Sequence, residues 1–270
     1  MIVRLIIILL VVLTATATSI AAPPERPRKT AVNSCEDCHN EVRDKFIGSV
    51  HHRNLIACTD CHGGDAKAPI KRAAHSPRMG FRGQQSADQI VVNCGNCHKE
   101  VLTFFRQGPH FQALQDLTTV TCVSCHGEHS VTSAGLSLFT SFCQKCNEPD
   151  TKEAALGLAM AERIKSSDET VHNLLAVLDR LLVRGLYAVD ERTTLDNIQH
   201  ISDSLPRLSH NISLPKLEAA WKPAEKQSSQ LRAATENLWA SLRTRQSALW
   251  PIWICTALFV GVILWKLKSN

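Results

Sequence analysis

The chain has 270 residues, a length that allows about two domains. Hydrophobic residues make up 44% and charged residues 20% of it, which excludes a disordered or collagen-like chain. The net charge of +5 raises the question of a nucleic-acid or anionic-lipid partner, and the 12 His and 11 Cys are unusually many.

Residues 1–22 have the layout of a secretory signal peptide. One early charge, Arg4, precedes an apolar run from Leu5 to Leu13, and small residues follow up to Ala22. An uncleaved N-terminal anchor is the alternative, and both interpretations predict export of the rest of the chain. Residues 23–33 contain three prolines and are predicted to form an extended linker.

Ten cysteines then form five C-x-x-C pairs in residues 34–150. The pairs are Cys35/Cys38, Cys58/Cys61, Cys94/Cys97, Cys122/Cys125 and Cys143/Cys146. The residue after each of the first four pairs is a histidine: His39, His62, His98 and His126. C-x-x-C-H is the attachment motif of c-type haem, in which two thiols bind one porphyrin and the adjacent histidine is the proximal iron ligand. Four motifs behind an export signal disfavour zinc knuckles and redox pairs, so we predict four haem c groups.

The fifth pair departs from this pattern, because Asn147 follows Cys146. One interpretation is a relic whose thiols form a local disulfide, as an oxidising compartment permits. The other is a fifth haem with a non-standard or vacant axial position. The difference matters, since only an open iron can bind a small substrate.

The haem region contains an internal repeat. Cys35–Val42 aligns with Cys94–Val101 at an offset of 59 residues, and Cys58–Gly63 aligns with Cys122–Gly127 at an offset of 64. The region is therefore predicted to be two copies of a two-haem unit, with an irregular insert near residues 63–87.

The repeat also predicts distal iron ligands. His51 and His110 occupy equivalent places, twelve residues beyond the proximal histidine of each copy. His75 and His129 are further candidates without matching spacing, and Met79 is a competing ligand. Eight histidines would close both axial positions of four irons, which suits single-electron transfer rather than substrate binding.

The predicted fold is mainly α with long loops. The 120 residues from Ala31 to Asp150 are few for four or five macrocycles and a conventional core. We therefore expect short helices that carry each motif and porphyrins that form much of the core.

These motifs resemble a known family. Cys35–His39, the segment from Phe46 to His51 and Cys58–Gly63 look like the multihaem c-type cytochromes with doubled C-x-x-C-H motifs, which include tetrahaem and pentahaem periplasmic carriers of bacteria. The resemblance implies closely stacked haems and exchange with quinol-linked membrane partners or soluble periplasmic redox proteins. Pentahaem nitrite reductases of this group carry a lysine in place of one haem-binding histidine, whereas this chain has Asn147 at its last motif.

Residues 151–245 lack cysteine and have helical periodicity, which predicts a helical bundle or coiled-coil arm. Ser166 and Glu169 are predicted to form a capping box before an apolar stripe that runs from Val171 to Gly185. A second helix is expected over residues 194–212, with Pro206 kinking or splitting it. A heptad seam from Leu217 to Leu242 predicts the last helix. The arm is expected to dock a partner, to mediate a homo-oligomer or simply to position the head.

Three histidines of the arm are predicted to be exposed to solvent: His172, His200 and His210. A fifth haem within reach of one of them is the alternative.

Residues 246–265 contain no charge and are long enough to cross about 30 Å of hydrocarbon as a helix. Trp250, Trp253 and Trp265 lie near its ends, where indole rings favour the membrane interface. Export of the N-terminal part predicts a single-pass protein of the bacterial inner membrane, with the haem domain in the periplasm and residues 266–270 in the cytoplasm. Cys255 falls within the span.

The leading hypothesis is a membrane-anchored electron carrier that joins a quinol-oxidising or other redox complex to periplasmic electron carriers. The alternative is an enzyme that reduces nitrite, hydroxylamine or a similar molecule at an open fifth haem. Residues 23–150 carry 14 Lys and Arg against 13 Asp and Glu, so the head is almost neutral before haem propionates are added. A nucleic-acid partner is therefore not expected.

Overall fold

The computed structural model describes residues 33–113 and 120–269. The predicted signal peptide and nearly all of the linker lie outside the described residues. Helices dominate the described ranges, which contain no β-strand, so the prediction of a mainly helical fold is confirmed.

The head, residues 33–150, is built from short helices and loops. In chain order these are α1 (Ser34–Cys38), α2 (Asn40–Ile47), α3 (Val50–Arg53), α4 (Cys58–His62), α5 (Lys71–Ala74), α6 (Ala87–Cys97), α7 (Lys99–Arg106), α8 (Pro109–Ala113), α9 (Cys122–His126) and α10 (Ser137–Ser141). Both cysteines of each C-x-x-C-H motif lie within one of these helices, and the histidine is the last residue of the helix or the one after it. The helical turn therefore brings the two thiols to one side.

Two glycines show that the repeat extends to the backbone. Gly63 ends α4 with φ 64°, and Gly127 ends α9 with φ 77°. Only glycine adopts this left-handed region without strain, so the chain turns sharply after the second motif of each copy. A Cβ on Gly63 would lie 2.1 Å from the carbonyl oxygen of Gly80, because the backbone of the insert passes close to Gly63.

The described part of the head has almost no apolar core of its own. Among its described residues, the buried hydrophobic side chains are Ala68, Val91 and Phe105. A polypeptide of this length normally buries far more apolar surface when it folds.

The arm is an antiparallel helical bundle formed by α11 (Lys152–Val183), α12 (Val189–Leu208) and the first half of α13 (Leu214–Ser269). The side chains of its core are Met160, Ile164, Val171, Leu174, Leu178, Leu181, Leu195, Ile198, Leu205, Leu217, Trp221, Ala224 and Leu231. The sequence-based stripes in the second half of α11 and in α13 contribute most of these residues.

The helix boundaries of the arm differ from the prediction. The hydroxyl of Thr151 accepts a hydrogen bond from the Ala154 amide and caps α11, so Ser166 lies inside the helix rather than at its start. The second helix begins at Val189, five residues earlier than expected, and continues through Pro206 to Leu208. A short 3₁₀ turn, Ser209–Asn211, follows it.

The head sits on the end of the bundle where α12 ends and α13 begins. Helix α7 packs against the Ser209–Asn211 turn, and Arg207 binds Glu100 at 2.8 Å between Nε and Oε2. A Cβ on Gly108 would lie 2.9 Å from the carbonyl oxygen of His210, so only glycine permits this approach.

Helix α13 continues well beyond the bundle, through Pro251 to Ser269. Its C-terminal part is apolar and wholly exposed, and by length and composition this helix can cross a membrane. The part from Leu214 to Arg245 spans roughly 45 Å at 1.5 Å per residue. The head and the apolar segment therefore lie at opposite ends of the arm.

Candidate cofactor site

Four pairs of histidine rings form the candidate site. Each pair joins the histidine of one C-x-x-C-H motif to a histidine from another part of the chain. The ring centres are 6.0 Å apart in His39–His75, 6.2 Å in His98–His51, 6.0 Å in His62–His129 and 6.0 Å in His126–His210. All four motif histidines are thus paired.

The spacing of these rings fits one metal between two imidazoles. A metal–imidazole bond is about 2 Å long and a ring nitrogen lies roughly 1 Å from its ring centre, so two imidazoles on opposite sides of one metal have centres about 6 Å apart. Rings that pack directly span a broad range of about 4.5–7 Å between centres, whereas the four histidine pairs share the narrow range of 6.0–6.2 Å. The rings of His62–His129 and His126–His210 are also nearly parallel, at 19° and 15°.

Backbone carbonyls orient two of the rings. Nδ1 of His62 lies 3.2 Å from the carbonyl oxygen of Arg82, and Nδ1 of His210 lies 3.2 Å and 3.0 Å from those of Pro206 and Arg207. A ring that donates its Nδ1–H to a carbonyl presents a bare Nε2, which is the tautomer that a metal ligand needs. These contacts therefore prepare His62 and His210 for coordination.

The surroundings also keep several of these histidines neutral. Burial lowers the pKa of His51, and its neighbour His98 lowers it further. Burial likewise lowers the pKa of His126, with a smaller contribution from His210. For His129, burial and then His62 lower the pKa. Iron binds neutral imidazole, so this electrostatic environment favours ligation.

The thiols of successive motifs are adjacent. Burial raises the pKa of Cys35, and the nearby Cys58 thiol raises it further. A hydrogen bond between Cys94 and Cys122 raises the pKa of Cys94 and lowers that of Cys122. The first motif therefore adjoins the second, and the third adjoins the fourth.

A further contact links the two copies. Burial raises the pKa of Cys61 in the second motif, and the thiol of Cys94 in the third motif raises it further. Porphyrins attached to these thiols would follow one another in the order of the motifs.

The structure brings three of the four predicted distal histidines, His51, His75 and His129, to a motif histidine. The fourth, His110, lies outside the four pairs, and His210 of the arm takes the place beside His126. His210 was expected to be exposed, but it is half-buried between the head and the arm. His172 and His200 are exposed, as expected.

Sequence reasoning missed His210 because the repeat ends before the arm begins. Its position becomes significant only through the packing of the Ser209–Asn211 turn on α7. Met79, the competing ligand candidate, is exposed.

The fifth cysteine pair has a different local structure. Cys143–Lys145 forms a 3₁₀ turn, and Nδ2 of Asn147 donates a hydrogen bond to the Cys143 carbonyl at 3.1 Å. Both thiols are free, so the disulfide considered for this pair is not formed in the structure. Sγ of Cys143 packs against α11, at 2.9 Å from the position of a Cβ on Gly157.

The donor set fits an iron porphyrin better than a bare metal ion. In residues 33–113 and 120–269, no group of three or more His, Cys, Asp or Glu side chains is arranged to hold a metal ion. A porphyrin supplies four ligands itself and asks the protein for two, which is what each histidine pair offers. A porphyrin would also supply the apolar interior that the head lacks.

Such an arrangement can hold redox-active irons close together with both axial positions closed. In comparisons with known proteins, the chain matches no protein-family model, no curated protein and no solved structure.

Proposed function

We propose that this chain is a membrane-anchored multihaem c-type cytochrome that transfers electrons. The observation that carries the proposal is the set of four histidine pairs, each with ring centres 6.0–6.2 Å apart and each containing the histidine of a C-x-x-C-H motif. Four C-x-x-C-H motifs could occur in a chain that binds no cofactor. The second histidine beside each motif histidine comes from another part of the chain, so it supports cofactor binding independently of the motifs.

The cysteines and the histidines of each site have different roles. The two thiols of a motif would anchor the cofactor covalently, and the two histidines would bind its iron. Bound in this way, the haem supplies reversible one-electron chemistry at its iron. With two protein histidines available to each iron, these four sites would exclude small ligands and favour electron transfer over catalysis.

The contacts between motifs support a continuous route through the head. Thiols of the first and second, second and third, and third and fourth motifs perturb one another's pKa values, as described for Cys35, Cys61 and Cys94. Cofactors tethered at neighbouring thiols lie close to each other, which electron transfer between them requires.

The length of the arm favours a redox partner that lies outside the bilayer. It holds the head roughly 45 Å from the start of the apolar segment, given the helical rise of α13. A quinol dissolved in the membrane would not reach the head across this distance. The electron donor or acceptor is therefore a periplasmic carrier, or the extramembrane part of a quinol-oxidising or other redox complex.

A reductive titration of the purified full-length protein tests this function. The chain should take up at least four electrons with reversible changes in haem absorption. A Cys35→Ser/Cys38→Ser variant should lose one of them, whereas Cys255→Ser in the apolar segment should change nothing. A chain that takes up no electrons, or a double variant that keeps the full number, would contradict the proposal.

The proposed topology is testable by reporter fusions after Asn270. A reporter active only in the cytoplasm should be active there, and protease added to spheroplasts should remove the head. Protection of the head with an inactive C-terminal reporter would reverse the proposed orientation.

A further inference from the structure

Exposed apolar side chains of the arm cluster at one end of the bundle. Five large hydrophobic side chains of residues 151–245 are exposed, and four of them fall within residues 182–189. Of these four, Val183 is 85% exposed, Tyr187 is 80% exposed and Val189 is 68% exposed. The fifth, Leu158, lies near the opposite end of α11. Tyr187 is also the single tyrosine of the chain.

The loop that carries these side chains has a defined shape. It joins α11 to α12, and the Gly185 amide donates a hydrogen bond to the Leu182 carbonyl at 2.9 Å. The Leu186 amide donates to the Leu181 carbonyl at 3.1 Å, and Gly185 has φ 82°. These two bonds form a Schellman motif, and the side chain of Leu186 packs against the bundle core. Tyr187, the next residue, is thereby held on the outside.

This loop lies where α13 leaves the bundle and approaches the apolar segment. Trp239 of α13 lines a shallow surface pocket with Arg180 and Val183 of α11. Leu242, one turn further along α13, still packs against the bundle core. The uncharged run of α13 begins at Gln246, which is about 6 Å beyond Leu242 along the helix.

The dimensions of a bilayer bring this end of the bundle to the lipid headgroups. Residues 246–265 extend about 30 Å as a helix, which equals the thickness of the hydrocarbon core. The headgroup layer adds about 5–7 Å on each side of that core. Leu242 therefore reaches this layer when α13 crosses the membrane, and the loop beside it faces the same layer.

The charges around the loop suit phosphate groups. Residues 179–192 and 238–245 together contain five arginines and three acidic residues. They are Arg180, Arg184, Arg192, Arg243 and Arg245, against Asp179, Asp190 and Glu191. Arg192 is bound to Asp179, and the other four arginines form no ion pair with any residue that the structure describes. Guanidinium groups bind phosphate oxygens through paired hydrogen bonds, whereas a second copy of this chain would set like charges against them.

Resting on the membrane anchorage in the proposed function, we propose that the α11–α12 loop, residues 183–189, is a second membrane contact of this chain. Val183, Tyr187 and Val189 insert into the headgroup layer of the bilayer that α13 crosses, and the neighbouring arginines bind lipid phosphates. Tyrosine suits this layer, because its ring meets apolar groups while its hydroxyl stays hydrated. The contact holds the bundle to the membrane at two points, so the arm cannot pivot freely about α13.

The first test is photo-crosslinking in the full-length protein, reconstituted in nanodiscs of phosphatidylglycerol and phosphatidylcholine. With p-benzoylphenylalanine in place of Tyr187, irradiation should add one phospholipid to the peptide that contains this position. The same probe in place of Trp250, within the apolar segment, should also capture lipid. The probe in place of Leu158, at the far end of α11, should capture none.

The other outcomes separate the loop contact from the anchor. Lipid capture at Trp250 but not at Tyr187 would overturn the loop contact and leave the membrane anchor intact. Capture at neither position would overturn both. A crosslinked dimer through the probe at Tyr187 would assign this surface to a second copy of the chain and overturn the lipid contact.

The second test is the rate of trypsin cleavage after Arg184 in the same nanodiscs, divided by the rate for a synthetic peptide of the same sequence. The headgroup layer should shield this bond in the parent protein. Val183→Ser/Tyr187→Ser removes exposed apolar groups without touching the bundle core, so it should raise the cleavage rate several-fold. The matched control Leu158→Ser should leave the rate unchanged. Equal rates in the parent and the double variant would overturn the contact.

Discussion

Replacing His210 with alanine tests the histidine pair that the sequence did not predict, because His210 was expected to be exposed to solvent and instead lies beside His126. The ring centres of His126 and His210 are 6.0 Å apart, and His210 is the arm's contribution to the four pairs. His210→Ala should convert one of the four closed irons to a five-coordinate, high-spin form, so one additional iron per chain should bind cyanide.

The hydrogen bonds of His210 contribute little to the free energy of unfolding. The substitution removes the bonds from Nδ1 to the carbonyls of Pro206 and Arg207, which lie at a helix end. A lost hydrogen bond of this kind costs about 0.5–1.5 kcal/mol. The protein should therefore remain folded while its spectrum changes, and the change reports ligation rather than unfolding.

The assay compares ferric absorption spectra and cyanide titrations of the purified parent and variant. His200→Ala is the matched control, since His200 is exposed on α12. Unchanged spectra and no new cyanide-binding iron in His210→Ala would refute the pairing of His126 with His210.

Three other predictions concern packing and pH. Gly108→Ala would place a Cβ 2.9 Å from the His210 carbonyl, so the head and arm must separate slightly; a cost of about 1–3 kcal/mol in denaturant unfolding is expected, and an unchanged midpoint would contradict the close approach. Leu181→Ala, at a side chain with 0% exposure, should cost about 2–5 kcal/mol, whereas Leu182→Ala, at 42% exposure, should cost much less; equal losses would contradict the bundle register. Because burial holds the pKa of His51 and of His126 below 6.5, the unfolded chain binds more protons at acid pH, so the free energy of unfolding should be level above about pH 6.5 and fall below it. A denaturant midpoint that rises as the pH falls below about 6.5 would contradict this prediction.

The cofactor motifs could be predicted from sequence because their chemistry is local. The two thiols and the histidine of each motif lie within five residues, and one helical turn sets their geometry. His51 could also be predicted as a distal ligand candidate, because His110 occupies the equivalent place in the second copy of the repeat. The partners His129 and His210 come from distant segments, so only the packing of the whole chain reveals which ring faces which.

In the arm, too, some features could be predicted from the sequence and others could not. The predicted apolar stripe from Val171 to Gly185 is a property of one helix face, and its members Val171, Leu174, Leu178 and Leu181 belong to the core. Its last two members, Leu182 and Gly185, are exposed, so the end of the stripe was wrong. The start of α11 was misplaced, because Ser166 and Glu169 have the spacing of a cap but lie inside a helix that Thr151 already caps. Pro206 does not break α12, since the helix ends two residues later and few backbone hydrogen bonds are lost.

The most direct test of the four histidine pairs is near-infrared magnetic circular dichroism of the oxidised full-length protein, which identifies the axial ligands of low-spin haem. Four bis-histidine irons per chain are expected. A spectrum without low-spin haem, or one dominated by histidine–methionine ligation, would contradict the assignment of these pairs as the sites of electron transfer.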